Sequence, residues 1–565
     1  MYNNSVLYQN LLAEHTKEEV DEIFMQELKN RDIADYEEFI KNYKREYTQE
    51  NIVKYVDLVS FFQLDIQNEF SYYILTKYIL KNKFLDLICN YHCIRYIIEN
   101  LCKTDNYLSN NQLLYLTEFV TITELNLNNN VYVTDEGIKN CYLEKLIAND
   151  RIELIKIIPA QVEFLTELIT GDNSKISDHG LTHCINLQKL IISNNRKIST
   201  CDPFAKTLIE LESVGDCNID TKGLRNCHNI QKLNVRHNKR IKNCDPFASS
   251  LQILDATYSI LDDESLKNCC NIQILNVSNN SKITTCDPFA ETLIELNASE
   301  NCGIGDKGLI NCHNIQKLIA TANKLITTCN PFCKSLLELE CCTILGNSRD
   351  GNRESGIKDV GLINCINLQK LNVMNNRNIT TCDSFANSLI ELNASESSFD
   401  DKTLENCTNL QKLIIINNGK ITTCDPFSNS LIELFIGGYC SITDKSIENC
   451  KKIQKLNIKD ISKITTCEPF KYSLIELDAS NKCGICDEGL KNCQNLKILI
   501  AYDNPKITTC EPFKNSLIEL NARGKCGISD DGLKNCIHLR KLKCEFNDKI
   551  TIKYLDLLQN YKIIC

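Results

Sequence analysis

Thiols are the most chemically capable side chains here: the sequence holds 33 cysteines, against eight histidines and no tryptophan. Cys483-Gly-Ile-Cys486 has the C-x-x-C spacing that can bind zinc or run thiol–disulfide chemistry. A tetrahedral site needs a second pair of ligands, and none follows at a suitable spacing. Cys483, Gly484 and Ile485 also repeat the Cys-Gly-Ile that begins at Cys302 and Cys526, which leaves only Cys486 to explain. His228 and His313 each follow a cysteine, Cys227 and Cys312. A Cys–His nucleophile duplicated along the chain makes a poor active site; a turn residue is the simpler account. There is no phosphate-cradling glycine loop, zinc-protease helix or serine elbow. The reading is therefore of a chain with no catalytic residue, cofactor or metal. The alternative, an enzyme whose repeats serve as a targeting domain, has to find its chemistry near the N-terminus. Cys89, His92, Cys93 and Cys102 are the cluster there, and a helical core accounts for them more simply.

Eighteen of the cysteines occupy only two positions of a repeating pattern. One series runs from Cys141 through Cys312 to Cys536; the other, in segments like T-T-C-D-P-F, runs from Cys201 through Cys329 to Cys510. A residue used so regularly is a small buried hydrophobe. Members of one series stand two repeats apart, roughly 10 Å if each repeat advances by one strand spacing, which is beyond disulfide reach. Met1-Tyr-Asn-Asn-Ser opens no signal-peptide pattern and no apolar run is long enough to span a bilayer. The expected compartment is the cytoplasm, with the thiols reduced. A formal charge of -10 argues against broad attraction to nucleic acid or anionic membrane.

The pattern itself is clearest in the 43 residues from Leu293 to Ser335. Leu293, Leu296 and Ala298 fall as L-x-x-L-x-A, followed by Asn301, Ile304, Asp306, Gly308, Leu309 and Cys312; the second half answers with Ile315, Leu318, Ala320, Asn323, Ile326 and Cys329. This spacing recurs from Ile122 to Leu539, giving about twenty units of roughly 21 to 22 residues. Each core should supply one short strand to a continuous parallel sheet, with turns or short helices on the opposite side. In Asp287-Pro288-Phe289 an aspartate cap followed by proline at the first helical position is expected, and seven of the nine prolines take this place. Residues 343–355 exceed the spacing by about ten and read as an exposed loop.

The first half resembles the cysteine-containing subfamily of leucine-rich repeats, L-x-x-L-x-L-x-x-C/N-x-x-I-T-D-x-G-L. Leu517, Leu520, Ala522, Lys525, Ile528, Asp530, Gly532 and Leu533 match it, with Cys526 beside the Cys/Asn position. The resemblance covers about three quarters of the chain. It implies an α/β solenoid, a horseshoe with a parallel concave sheet, of the kind that forms the substrate-binding part of F-box ubiquitin-ligase receptors. The Asn-, Ile- and Lys-rich style with near-identical repeats is also similar to proteins of giant DNA viruses of amoebae, which implies a host cytoplasm or nucleus. The domains expected are a helical module at 1–118, the solenoid at 119–551 and a C-terminal cap at 552–565, with Tyr554, Leu555, Leu557 and Leu558 covering the last repeat.

Within residues 1–118, Thr16 caps a segment with Val20, Ile23, Phe24 and Leu28 on one face, and Thr48 opens another with Ile52, Tyr55, Val56, Val59 and Phe62. Val59, Phe61, Phe62, Leu64, Ile66 and Phe70 resemble the late helices of BTB/POZ and cullin-adaptor folds over about thirty residues. That likeness implies docking to a cullin or its adaptor.

Residues flanking the strand cores should point out of the concave face. Lysine and glutamate alternate at the first of these positions, as in Lys412 and Glu433, so neighbouring strands should carry a self-neutralising ladder. Asparagine recurs at the second. Variation is left to the third and its neighbour, where Arg236, His237, Tyr258, Met374, Ile416, Lys459, Tyr502, Asp503, Arg523, Glu545 and Phe546 stand. Aromatic and arginine side chains among small ones are the anchors of protein interfaces. These eleven are the expected contacts of a partner protein.

Overall fold

The computed structural model describes residues 102, 108–118, 120–149, 163–172, 174–346, 353–551 and 562–564. The helical stripes, the adaptor-like segment and the proposed cap residues fall outside them. Contacts divide the chain into two units, residues 1–251 and 252–565. Both are built from the same repeat.

Among its described residues the first unit holds six parallel strands in chain order, from Glu124–Asn126 to Lys232–Asn234. The second holds fifteen, from Ile253–Asp255 to Lys562–Ile564, each paired with its sequence neighbour. In both units leucine aligns with leucine: Leu146 with Leu168, Leu318 with Leu339. Each unit is a leucine-rich-repeat solenoid. Most strands are three residues long because only the central leucine of L-x-x-L-x-A is buried by both neighbours; its flanks are half exposed, as in Glu295–Asn297. The following inward residue, such as Ala298 or Ala320, is buried against the turn.

Opposite the sheet the chain returns through single turns. The D-P-F segments are three-residue 3-10 helices, such as Asp287–Phe289. Here the expectation is corrected: Cys286 is the N-cap, Asp287 is the first helical residue and proline the second. Thr285 Oγ1 accepts the Asp287 N–H at 3.1 Å, so the hydroxyl two residues earlier does the work assigned to the aspartate. The phenylalanine of the triplet is the largest side chain in the core, with Phe247, Phe289 and Phe427 at most 1% exposed.

Aspartate works instead in the D-x-G-L turn. Asp306 accepts the Thr327 N–H at 2.7 Å and the Thr328 N–H at 3.2 Å, and the Thr327 hydroxyl as well. Asp359, Asp401, Asp444 and Asp487 repeat this latch 21 residues ahead of their threonines. The glycine beside it is fixed by contact: a Cβ on Gly308 would lie 2.0 Å from the Thr284 carbonyl oxygen of the preceding turn. Where serine or threonine stands in its place, a capping pair closes the turn, as between Asp262 and Ser265.

A second latch runs through the core. Asn323, fully buried, donates to the carbonyls of Ala298 and Ile304 at 2.6 and 3.2 Å, and its oxygen accepts the N–H groups of Leu325 and Ile326. Asn130 makes the same bond to Leu108 at 2.8 Å. Leu108 lies just ahead of the helix Asn110–Leu116, which Ser109 and Gln112 cap, and Asn110 bonds Thr134. This helix, which precedes residue 119, is therefore hydrogen-bonded to the first repeat as one repeat is to another.

Lys562–Ile564 adds a strand beside Lys541–Lys543. In the 343–355 insertion, Ile344 and Arg353 form an antiparallel bridge, and Arg353 reaches back to Glu300 at 2.7 Å.

Candidate partner-binding face

The outward face of the sheet begins with the charge ladder. In the second unit Lys370 bridges Glu338 and Glu391, both at 3.2 Å, and Lys412 bridges Glu391 and Glu433 at 3.8 and 3.6 Å. In the first, Lys189 lies 3.1 Å from Glu210 and 3.8 Å from Glu167. The glutamates on both sides raise the Lys370 ammonium above its ordinary value. Parallel pairing in leucine register places each lysine between two glutamates. The ladder expected from the sequence is there.

It is interrupted by isoleucine. Ile253 pairs with Ile274 where a lysine and a glutamate belong, and Ile498 stands between Glu476 and Glu519. On that last strand Ile498, Ile500 and Tyr502 all face outward, an apolar stripe along the sheet. Ile414, facing Phe435, replaces an asparagine at the second position, and Ile416 follows at the third. Gly437, opposite Ile416, leaves room for it: a Cβ there would stand 3.3 Å from that side chain. Lys412 reaches over the Phe435 ring at 5.9 Å. A shallow hollow of about 190 Å³ beside this cluster is lined by Lys370, Asn372, Glu391, Asn393, Lys412 and Ile414.

The eleven candidate residues are partly or fully exposed, but they fall into two structural classes. Arg236, Met374, Ile416, Lys459, Tyr502, Arg523 and Glu545 continue the outward alternation of their strands. His237, Tyr258, Asp503 and Phe546 do not: their φ angles of 57°, 52°, 53° and 61° make them the left-handed residue that turns the chain away from the sheet. Asparagine fills this place in Asn129, Asn194, Asn279, Asn375, Asn417 and Asn481, as its local hydrogen bonding allows. An aromatic there is held at a cost of about 1 kcal/mol or more, and such residues gather at functional surfaces. Phe546 is 92% exposed, so no packing among the described residues compensates it.

Two candidates satisfy one another. Arg523 and Glu545, each two residues past the end of adjacent strands, form a bidentate pair that holds the Glu545 carboxyl down at about 2. Tyr502 lies beside them, its phenol raised by the hydrogen bond to Asp503. A Cβ on Gly524 would approach its ring at 3.2 Å, so the tyrosine rests on bare backbone.

Sequence reasoning missed Ile253, Ile274, Ile414, Phe435, Ile498 and Ile500. The signal was available: each breaks the Lys/Glu/Asn consensus at a position that faces out. Tyr439, 89% exposed after the left-handed Gly438, was missed because it stands one residue beyond the third outward position and its neighbour.

The chemistry considered from the sequence separates in space. Cys483 is buried and accepts the Ile485 N–H, whereas Cys486 caps the helix Asp487–Leu490 and is partly exposed. Among the described residues no three His, Cys, Asp or Glu side chains converge as metal ligands. His228 and His313 are turn residues: their Nδ1 atoms lie 2.8 and 2.9 Å from the Pro246 and Pro331 carbonyl oxygens of the next turn.

The chain's own geometry defines a leucine-rich-repeat solenoid. No protein-family model matches the sequence, and no curated protein matches it significantly. Solved structures overlap it by shape. An internalin of Listeria monocytogenes is 18% identical, with 68% of this chain and 88% of that one covered and a TM-score of 0.31. A leucine-rich-repeat protein of Leptospira interrogans is likewise 18% identical, over 68% and 92% of the two chains, at a TM-score of 0.35. The receptor TLR13, solved with a single-stranded RNA, is 16% identical over 83% and 86%, at 0.49. Identities and scores this low assign no ligand to the present chain. Among the described residues no helix is long and apolar enough to cross a membrane.

Proposed function

We propose that this protein is a non-enzymatic interaction scaffold that binds a partner protein on the outward face of its repeat sheet. The observation that supports this most is the replacement of ladder residues by apolar ones in register, Ile498–Ile500–Tyr502 and Ile414–Ile416–Phe435. Isoleucines standing in a charged, self-neutralised row gain nothing for folding from facing water, whereas a partner that covers them gains roughly 25 cal/mol per Å² of apolar surface buried. Arg523 and Tyr502 supply the anchor types that dominate protein interfaces. The finer reading, a substrate receptor of a cullin-type ubiquitin ligase acting in the cytoplasm, rests on the resemblance of residues 59–70 to adaptor helices, with residues 1–118 as the docking module.

Affinity capture from a host-cell lysate tests both levels. The full chain should retain a partner that the Ile414→Ser/Phe435→Ser and Ile500→Ser/Tyr502→Ala variants lose while keeping their circular dichroism. Undiminished capture by both variants overturns the face assignment. A chain reduced to residues 119–565 should keep that partner and lose any cullin; cullin capture by the shortened chain rejects the docking role.

A further inference from the structure

Partner binding makes no use of the thiols in the core, and the fold arranges them in a way that the spacing of either cysteine series conceals. Each series taken alone keeps its members two repeats apart, but the fold brings a T-T-C cysteine of one repeat against the cysteine that closes the next. Cys382 Sγ and Cys407 Sγ lie 3.1 Å apart, sharing a hydrogen bond inside the core. Among the described residues, Cys467 with Cys493 and Cys510 with Cys536 are likewise hydrogen-bonded thiol partners, as are Cys201 with Cys227, Cys286 with Cys312, Cys329 with Cys365 and Cys424 with Cys450. A disulfide needs about 2.05 Å, so closing the pair takes a movement of about 1 Å.

The two thiols of a pair are not alike. In the T-T-C member ionisation is suppressed: hydrogen bonding to Cys493 first, then burial, push Cys467 far up. The closing member shifts the other way in three pairs: the hydrogen bond with Cys467 lowers the Cys493 thiol against the burial that would raise it, and Cys365 and Cys536 are lowered in the same way.

We propose that the paired cysteines are sites of reversible disulfide formation, one repeat stapled to the next, with hydrogen peroxide as the class of oxidant. The Cys493 sulfur, as thiolate, attacks the peroxide O–O bond; hydroxide leaves and the sulfur carries a hydroxyl. The Cys467 sulfur then displaces that hydroxyl, forming the S–S bond while its proton leaves with the oxygen as water. In sum two thiols and one peroxide give one disulfide and two waters, the sulfurs losing the two electrons that the peroxide gains. Reduction by an external dithiol reverses the step.

The test uses the full chain, purified with reductant, desalted and exposed to hydrogen peroxide before free thiols are alkylated and cross-linked peptides are mapped by mass spectrometry. Expected are cross-links within pairs, 382 to 407 and 467 to 493, reversed by dithiothreitol, with a thermal midpoint higher in the oxidised chain. Exposed Cys270 reports that oxidant was sufficient. Oxidation of Cys270 with the paired thiols still free, or cross-links that ignore the pairing, overturns the proposal. In Cys407→Ser, Cys382 should stay uncross-linked while 467–493 still closes. Transfer of Cys382 to another cysteine would show that proximity in the fold does not select the bond.

Discussion

One buried asparagine per pair of repeats serves four backbone groups, and its removal leaves them without partners in a core that excludes water. Asn323→Ala should therefore cost about 3 kcal/mol in urea unfolding, as buried polar groups lose their partners. Asn297, half exposed on the sheet, should cost less than about 1 kcal/mol on the same change. Equal losses would refute the latch. The chain itself varies this position, placing buried Ile461 where the asparagine belongs. Glu545 offers a second residue-scale test. Arg523 depresses its folded pKa from 4.5 to about 2, so the pair's contribution is present above pH 4.5 and lost as pH falls through 2. The melting-temperature difference from Glu545→Gln should be constant above pH 5 and close between pH 4.5 and 2; a difference independent of pH would show the pair to be inert.

At the scale of elements, the turn opposite the sheet and the ladder on its face predict opposite sensitivities. Phe289 is buried in every direction by neighbouring turns, and Phe289→Ala should cost about 3–5 kcal/mol, measured by chemical denaturation. Exchanging both Lys412 and Glu433 for glutamine removes the ion pair between these half-exposed side chains and leaves Glu391 with Lys370 and Lys455 with Glu476, so the change should stay within about 1 kcal/mol. If the exchange proves as damaging as the phenylalanine truncation, the ladder is holding the stack and not merely its register. Proline explains less than its regularity suggested: it occupies the second place of a 3-10 turn whose hydrogen-bonding is handled by threonine.

For the whole molecule, stability is a sum over neighbours. A 43-residue piece covering 293–335 should remain unfolded by far-UV circular dichroism, because each repeat buries its leucines, phenylalanine and thiols only against the next. The thiols also set an alkaline limit. Burial pushes Cys141, Cys184 and Cys302 up to about 12, from 9.0 in the unfolded chain. Their folded pKa is raised, so the stability they contribute is complete below pH 9 and is lost as pH rises through 12. Unfolding free energy should fall across that window, and less steeply in Cys141→Ala/Cys184→Ala; identical slopes would exclude the thiols as the cause.

The repeat, its register and the charge ladder were legible in the sequence because they depend on local spacing: a strand alternates with period two, and leucine must face inward in every unit. The outward position of Arg236, Met374, Ile416 and Tyr502 follows from the same rule. Tertiary structure decided what spacing within one unit does not contain. It set His237, Tyr258, Asp503 and Phe546 in the left-handed turn, since where a strand ends depends on the partner that ceases to pair with it. It aligned Ile414 with Phe435, and it joined Asp306 to Thr327 across adjacent turns. It also brought two cysteine series, each too widely spaced to react with itself, to within 3.1 Å of each other at Cys382 and Cys407. The periodicity of each series describes distance along the stack, whereas their meeting depends on how one turn lies against the next.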